Sequence, residues 1–278
     1  LQPTRRVIGD VDPAHPLDTT HPLLRELEGF WLPLPSGSGG TQLYDLSGYD
    51  RTGTFANIQS SAWTADPRAP YPVINFPDEK TSRIAAPFER EVSLPMTAFS
   101  LAVADDTKNI SVTFSVADSS VGTNQWRIGF GDGNLQSEIY DGTKVEQLSS
   151  TQTATAGTLF FLAVELDSDR HKIWVNGRFA ADTSHSRDID PSQWDQFSMG
   201  RSADSTPFGD YDGIYFFGAA FQRTFSSKEH QFMYTQARRG FPDLLRTRSG
   251  VPLVSTSGGG GEETRSLSTG TIRLQGGD

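Results

Sequence analysis

Alternation of apolar and polar residues at period two, repeated in short segments, constrains this chain more than any other feature. Phe99, Leu101 and Val103 alternate within 97–104; Ile110, Val112, Phe114 and Val116 repeat the pattern; Trp126, Ile128 and Phe130 continue it. Successive side chains on a strand point to opposite faces, so these segments predict strands with one buried and one wet face. Phe30-Trp31-Leu32, Thr54-Phe55-Ala56 and 73–76 are shorter pieces of the same kind, and the continuous apolar run 159–166 suits an inner strand.

The turns agree. Asn176-Gly177 separates Ile173-Trp174-Val175 from Arg178-Phe179-Ala180, and Asp132-Gly133 separates Phe130 from Leu135. Type I′ hairpins need positive φ at both central residues, which Asn-Gly and Asp-Gly tolerate best. Asp141-Gly142 is a third candidate turn. Many short strands with frequent glycine turns predict an all-β antiparallel jelly-roll sandwich. One helix is expected, over about 227–239 at the sandwich edge: Ser226 and Glu229 make a capping box, and Gly240 with Pro242 ends it.

Three zones follow. Residues 1–26, rich in Pro, Asp and His, read as an extended N-terminal arm; 27–242 form the jelly-roll body; 243–278, with glycines 258 to 261 in a run, read as a Gly-rich C-terminal arm. Val251 to Val254 and Thr271 to Leu274 are β-like pieces that could add a strand to a neighbour. The start of the chain has no apolar core like that of a secretory leader and no Met, so upstream residues are expected to have been removed or left unnumbered.

Composition excludes several functions. The net charge of −10 argues against nucleic acid as the main partner. No apolar run approaches the ~18 residues of a helical membrane span, so no membrane partner is expected. Cysteine is absent, which removes disulfides, thiolate metal sites and a cysteine nucleophile.

Three stretches resemble the laminin-G-like, concanavalin A-like lectin/glucanase superfamily. Leu27 to Leu34 leads to Tyr44-Asp45-Leu46-Ser47-Gly48, then Gly53-Thr54-Phe55 and Trp63. Ala163-Val164-Glu165 runs through Ile173-Trp174-Val175-Asn176-Gly177, like the family's central hairpin. Gln222 to Ser226 with Glu229 is similar to its closing strand and helix. The resemblance implies a jelly roll in which Trp31, Trp63 and Trp174 fill the space between sheets. A second resemblance, to a subtype of tailed-bacteriophage virion proteins, rests on His21-Pro22-Leu23, Leu27 to Trp31 and the loop 36–40. It implies a non-enzymatic structural protein in the virion that decorates or cements a capsid, or forms part of a tail or fibre. Its partners would be capsid or tail subunits and further copies of itself. The alternative is a glycan-binding adhesion module.

Candidate chemistry is sparse. Paired carboxylates for glycoside hydrolysis need same-face spacing. Glu138 and Asp141 have odd spacing; Glu165 and Asp167 have the right parity but sit where a strand enters a turn. No Gly-x-Ser-x-Gly segment is present, and His15, His21, His171, His185 and His230 are scattered, with His171 expected on an exposed hairpin. We therefore expect no catalytic site and no required cofactor. Calcium is a possible ligand for Asp204, Asp210 and Asp212 before the last strand, or for Asp132 with Asn134, although turn-forming Asp explains both groups. Sugar binding needs exposed rings beside amides or carboxylates. Trp126 with Gln125, and Tyr211 with Asp210, are the candidates, and alternation equally sends Trp126 into the core.

Overall fold

A computed structural model describes residues 17–33, 41–59, 62–76, 82–88, 91–107, 109–120, 124–187, 189–201 and 210–245. The loop 36–40, Asp204, and the arm segments 1–16 and 246–278 lie outside the described residues. The strands are β1 (Leu27–Trp31), β2 (Gln42–Leu43), β3 (Gly53–Ala56), β4 (Trp63–Thr64), β5 (Val73–Phe76), β6 (Arg83–Pro87), β7 (Met96–Ala104) and β8 (Ser111–Ala117). They continue with β9 (Gln125–Gly131), β10 (Asn134–Tyr140), β11 (Val145–Thr153), β12 (Leu159–Leu166), β13 (Arg170–Val175), β14 (Arg178–Ser184), β15 (Gln196–Met199) and β16 (Gly213–Phe221). One helix, α1 (Ser227–Arg239), closes the order.

The strands form two antiparallel sheets. The first has the order β14-β13-β12-β7-β16-β5-β4, with β1 also paired to β16; the second runs β11-β10-β9-β8-β15-β6-β3-β2. This is the expected all-β sandwich with one helix near the C-terminal end. Asn176 and Gly177 have φ of 51° and 75°, and Asp132 and Gly133 have 50° and 72°, as their hairpins require. The helix occupies the expected residues. Ser226 Oγ accepts from Glu229 N, the Glu229 carboxylate accepts from Ser226 N, and Gly240 ends the helix at φ 75°.

Three layers, not two, carry the core. Between the sheets lie Trp31, Phe114, Trp126, Ile128, Leu162 and Phe197 with their neighbours. A second cluster covers the far side of the first sheet: Phe99, Leu101, Phe161, Trp174 and Phe217 meet Phe30, Met233 and Phe241. The wet face expected for 97–104 is therefore dry. Every residue of β7 is buried, with Ala98, Ala102 and Ala104 toward the other sheet and the larger Phe99, Leu101 and Val103 toward the outer layer. Trp174 likewise lies in this outer cluster and not between the sheets. The helix packs over the outer face of the first sheet, above β12 and the edge strand β14.

The body extends past both expected boundaries. Leu17 pairs with Leu245 in a β-bridge, and Leu17, Leu23, Leu24, Leu244 and Leu245 are all buried in the outer cluster. Pro22–Leu24 form a 3₁₀ turn capped by His21, whose Nδ1 accepts from Leu23 N; the residues after 17 are folded, not an extended arm.

The Asp-Leu-Ser-Gly turn ties this layer to the core. Asp45 Oδ1 accepts from Phe30 N and Ser47 N, and Oδ2 accepts from Ser47 Oγ and Arg51 N. Arg51 in turn pairs with buried Glu28 at 2.9 Å, and its carbonyl accepts from the Trp31 indole. A Cβ on Gly29 would collide with the Trp31 ring, which explains the glycine before that aromatic.

Candidate functional site

The two Trp and Tyr side chains expected to touch a sugar are in the core. Trp126 is fully buried and its indole donates to Ser137 Oγ at 3.1 Å. Gln125 is also buried, with Oε1 accepting from Arg127 Nε at 3.0 Å. Tyr211 is buried against Phe76, and its hydroxyl lies 2.7 Å from the Val103 carbonyl and 2.8 Å from that of Ile214. A ring without an exposed face cannot stack on a sugar, so alternation toward the core decided these positions.

Of the calcium group, Asp204 lies outside the described residues. Asp210 pairs with Arg201 at 3.5 Å, and among the described residues no three His, Cys, Asp or Glu side chains converge as metal ligands. Asn134 Nδ2 donates to the Asp132 carbonyl, a bond inside the hairpin turn. The carboxylate pairs are also apart in role. Glu138 is buried on the outer face of the second sheet, 3.7 Å from Arg127, and burial raises its carboxyl against the pull of that guanidinium. Asp141 is a turn residue held well below the carboxylate range, chiefly by the Thr143 hydroxyl and then by Lys144 N. Asp167 accepts from Ser168 N in the β12–β13 turn.

Glu165 has a different role. It is buried beneath α1, where its carboxylate accepts from Phe225 N (2.8 Å), His230 Nε2 (2.9 Å) and Lys172 Nζ (3.2 Å). Burial works to raise this carboxyl, but the hydrogen bonds from His230 and Phe225 with the nearby positive charges hold it below its usual value. Burial depresses His230 against the opposing pull of Glu165. His171 is not the exposed hairpin residue expected. It is fully buried between the sheets, with Nε2 2.6 Å from Ser137 Oγ. That hydroxyl donates to the Arg127 carbonyl, so Nε2 carries the proton and the pair is a clip between sheets.

From Glu165 a stack of rings leads outward to a cleft. His230, fixed by Glu165, stacks flat on Trp174, with centroids 4.1 Å apart and planes at 18°. Trp174 meets Phe179 edge-on at 5.4 Å and 77°. Phe179, on β14, is 53% exposed, the largest value among the exposed large hydrophobic side chains. Its ring is thus braced on one side and open on the other.

The cleft holds about 370 Å³. It lies where the edge strands of both sheets meet under the helix. Thr151 and Gln152 of β11 form one wall, Arg178 and Phe179 of β14 another, and Gln231 and Tyr234 of α1 a third. The β13–β14 hairpin sets this geometry. Asn176 Oδ1 accepts from Phe161 N at 3.0 Å, and a Cβ on Gly177 would lie 3.0 Å from both Gln231 Cα and Tyr234 Cβ. The close approach of hairpin and helix needs a residue with no side chain there. None of these cleft residues stood out as a site in the sequence. The one usable signal was a large ring two residues after an Asn-Gly turn, where hairpin tips are solvated.

The family model for the concanavalin A-like lectin/glucanases superfamily matches residues 83–229, from β6 into α1. No curated protein sequence matches the chain. Among solved structures, the botulinum neurotoxin serotype D binding domain aligns with a TM-score of 0.55 at 13% identity, over 76% of this chain and 51% of the toxin domain. The serotype G binding domain gives 0.54 at 11%, over 74% and 50%. The chain therefore spans about half the length of these toxin domains, and the likeness is one of fold. A sialyllactose-bound module of the Ruminococcus gnavus IT-sialidase aligns with a TM-score of 0.45 at 13% identity, over 51% of this chain and 83% of the module. Matched over more than half its length, and built as two antiparallel sheets closed by a capped helix, the chain belongs to the concanavalin A-like lectin/glucanases superfamily.

Proposed function

We propose that this protein is a carbohydrate-binding module and that its ligand occupies the cleft between β11, β14 and α1. One observation carries the reading: a half-exposed ring, Phe179, is braced by Trp174 and faces amide and hydroxyl groups across a concave space. A saccharide offers an apolar face of C–H groups and a rim of hydroxyls. A fixed aromatic suits the first, and Gln152, Gln231 and Thr151 suit the second. The bracing matters because a ring already held in place loses little freedom on binding. Structures of similar fold described as binding domains lend general support to a binding role.

A glycan array followed by titration calorimetry tests the proposal. The wild type should bind a defined set of saccharides, and Phe179→Ala should lose about tenfold or more in affinity. Unchanged binding by Phe179→Ala would refute this site.

The virion reading draws on His21-Pro22-Leu23. In this chain His21 caps a 3₁₀ turn and stacks on Phe232 at 5.7 Å, so folding alone accounts for the motif. Co-purification with phage particles, lost on truncation of 246–278, is the result that would favour it.

A further inference from the structure

We infer that the saccharide is acidic and that Arg178 receives its carboxylate or sulfate group; this rests on the cleft being the glycan site. The chain has ten more acidic than basic side chains, and more than half of its described arginines are paired with carboxylates within the fold. Seven described arginines pair with carboxylates, among them Arg51 with Glu28, Arg187 with Asp141 and Glu146, and Arg223 with Glu229. Arg178 is among the described arginines with no ion pair to a described residue, and it is the one that stands exposed on the wall of the cleft.

The cleft lining contains no Asp or Glu, so Arg178 is its one ionised side chain. A second arginine lies near one of the lining rings. Arg238, on the turn of α1 that follows Tyr234, sits 6.0 Å from the centroid of that ring. Carboxylates on the neighbouring elements have partners of their own: Asp182 of β14 pairs with Arg170, Glu165 of β12 with His230 and Lys172, and Glu229 of α1 with Arg223 and Ser226. A locally positive cleft on a negative protein repels no anion at the point of contact, while the rest of the surface does. A guanidinium offers a planar fork of donors that matches the two oxygens of a carboxylate or sulfate. Phe179 lines the same cleft.

The test uses an array with carboxylated, sulfated and neutral glycans, then titrations of a hyaluronan tetrasaccharide, a chondroitin sulfate tetrasaccharide and chitotetraose. These are measured against wild type, Arg178→Gln and Phe179→Ala. Both side chains are exposed, and an unchanged melting temperature confirms that each variant folds. Acidic glycans should bind preferentially, and their affinity should fall with added salt. Arg178→Gln should weaken acidic binding about tenfold to a hundredfold, and by more than it weakens neutral binding. The carboxylate and sulfate probes separate the two anion types. Equal affinity for neutral and acidic glycans, or wild-type binding of acidic ones by Arg178→Gln, overturns the inference and leaves the glycan site standing. Absence of any glycan binding, or its survival in Phe179→Ala, overturns the underlying reading itself.

Discussion

The outer faces of the two sheets are built on opposite principles. On the first sheet, Phe99, Leu101, Phe161 and Phe217 point away from the sandwich and are sealed by α1, Phe241 and the residues around Leu17 and Leu245. On the second, the corresponding residues are Thr113, Ser115, Arg127, Gln136, Glu138 and Ser198, since their neighbours Phe114, Ile128 and Phe197 point inward. Both sheets show period-two patterning. It therefore marks which residues share a face, and what covers that face is decided elsewhere in the chain. The cleft lies at the boundary between the two designs, where the edge strand of the polar-faced sheet meets the helix that covers the apolar one.

Substitutions on each face sharpen the contrast. Phe30→Ala empties a fully buried site between Phe217 and Phe241 in the outer cluster. It should cost about 3–5 kcal/mol by chemical denaturation, as much as a core position between the sheets. A cost under about 1 kcal/mol would mean the covering layer is loosely attached.

The clip between the sheets supplies a test by pH. Burial, with a contribution from His185, depresses His171 from 6.5 to about 3. The unfolded chain takes up this proton near 6.5 and the native one only near 3. Stability from this group is complete above pH 6.5 and declines as pH falls from 6.5 toward 3. The loss is on the order of a few kcal/mol, and urea midpoints at pH 7, 5.5 and 4 should show it. His171→Asn should flatten that slope; an unchanged slope would place the acid sensitivity elsewhere.

Smaller effects follow. Ser226→Ala removes the cap of α1 and should cost about 1 kcal/mol, measured as a lowered melting temperature. On the polar face, Ser198 is fully buried and its hydroxyl has no partner among the described residues. Replacing an unpaired buried hydroxyl with Ala removes a desolvation cost, so Ser198→Ala should be neutral or slightly stabilising, by up to about 1 kcal/mol. Marked destabilisation would mean that this face depends on its serine hydroxyls.

Local features were legible where local physics rules. The Asn176-Gly177 and Asp132-Gly133 hairpins and the Ser226/Glu229 cap depend on a few adjacent residues, and each lies where its residues predict it. The Asp45 turn was also legible, because an Asp side chain bonding to nearby backbone is a short-range device. The proposed binding residues were not. Trp126 and Tyr211 were attractive as large polar-tipped rings, yet burial is a property of whole faces, and both faces turned inward. Phe179 looked like one more strand residue, and nothing near it in sequence reveals that Trp174 braces it or that Gln231 and Tyr234 stand opposite.

Taken alone, the sequence determined strand identity, turn type, helix limits and the class of sandwich, because alternation, positive-φ residues and caps act over a few positions. The tertiary structure decided which alternating face is dry, that residues near 17 and 245 belong to the body, and that β11, β14 and α1 enclose a cleft. Those outcomes depend on contacts between segments tens of residues apart, where burial is shared among elements and no single segment encodes its own environment.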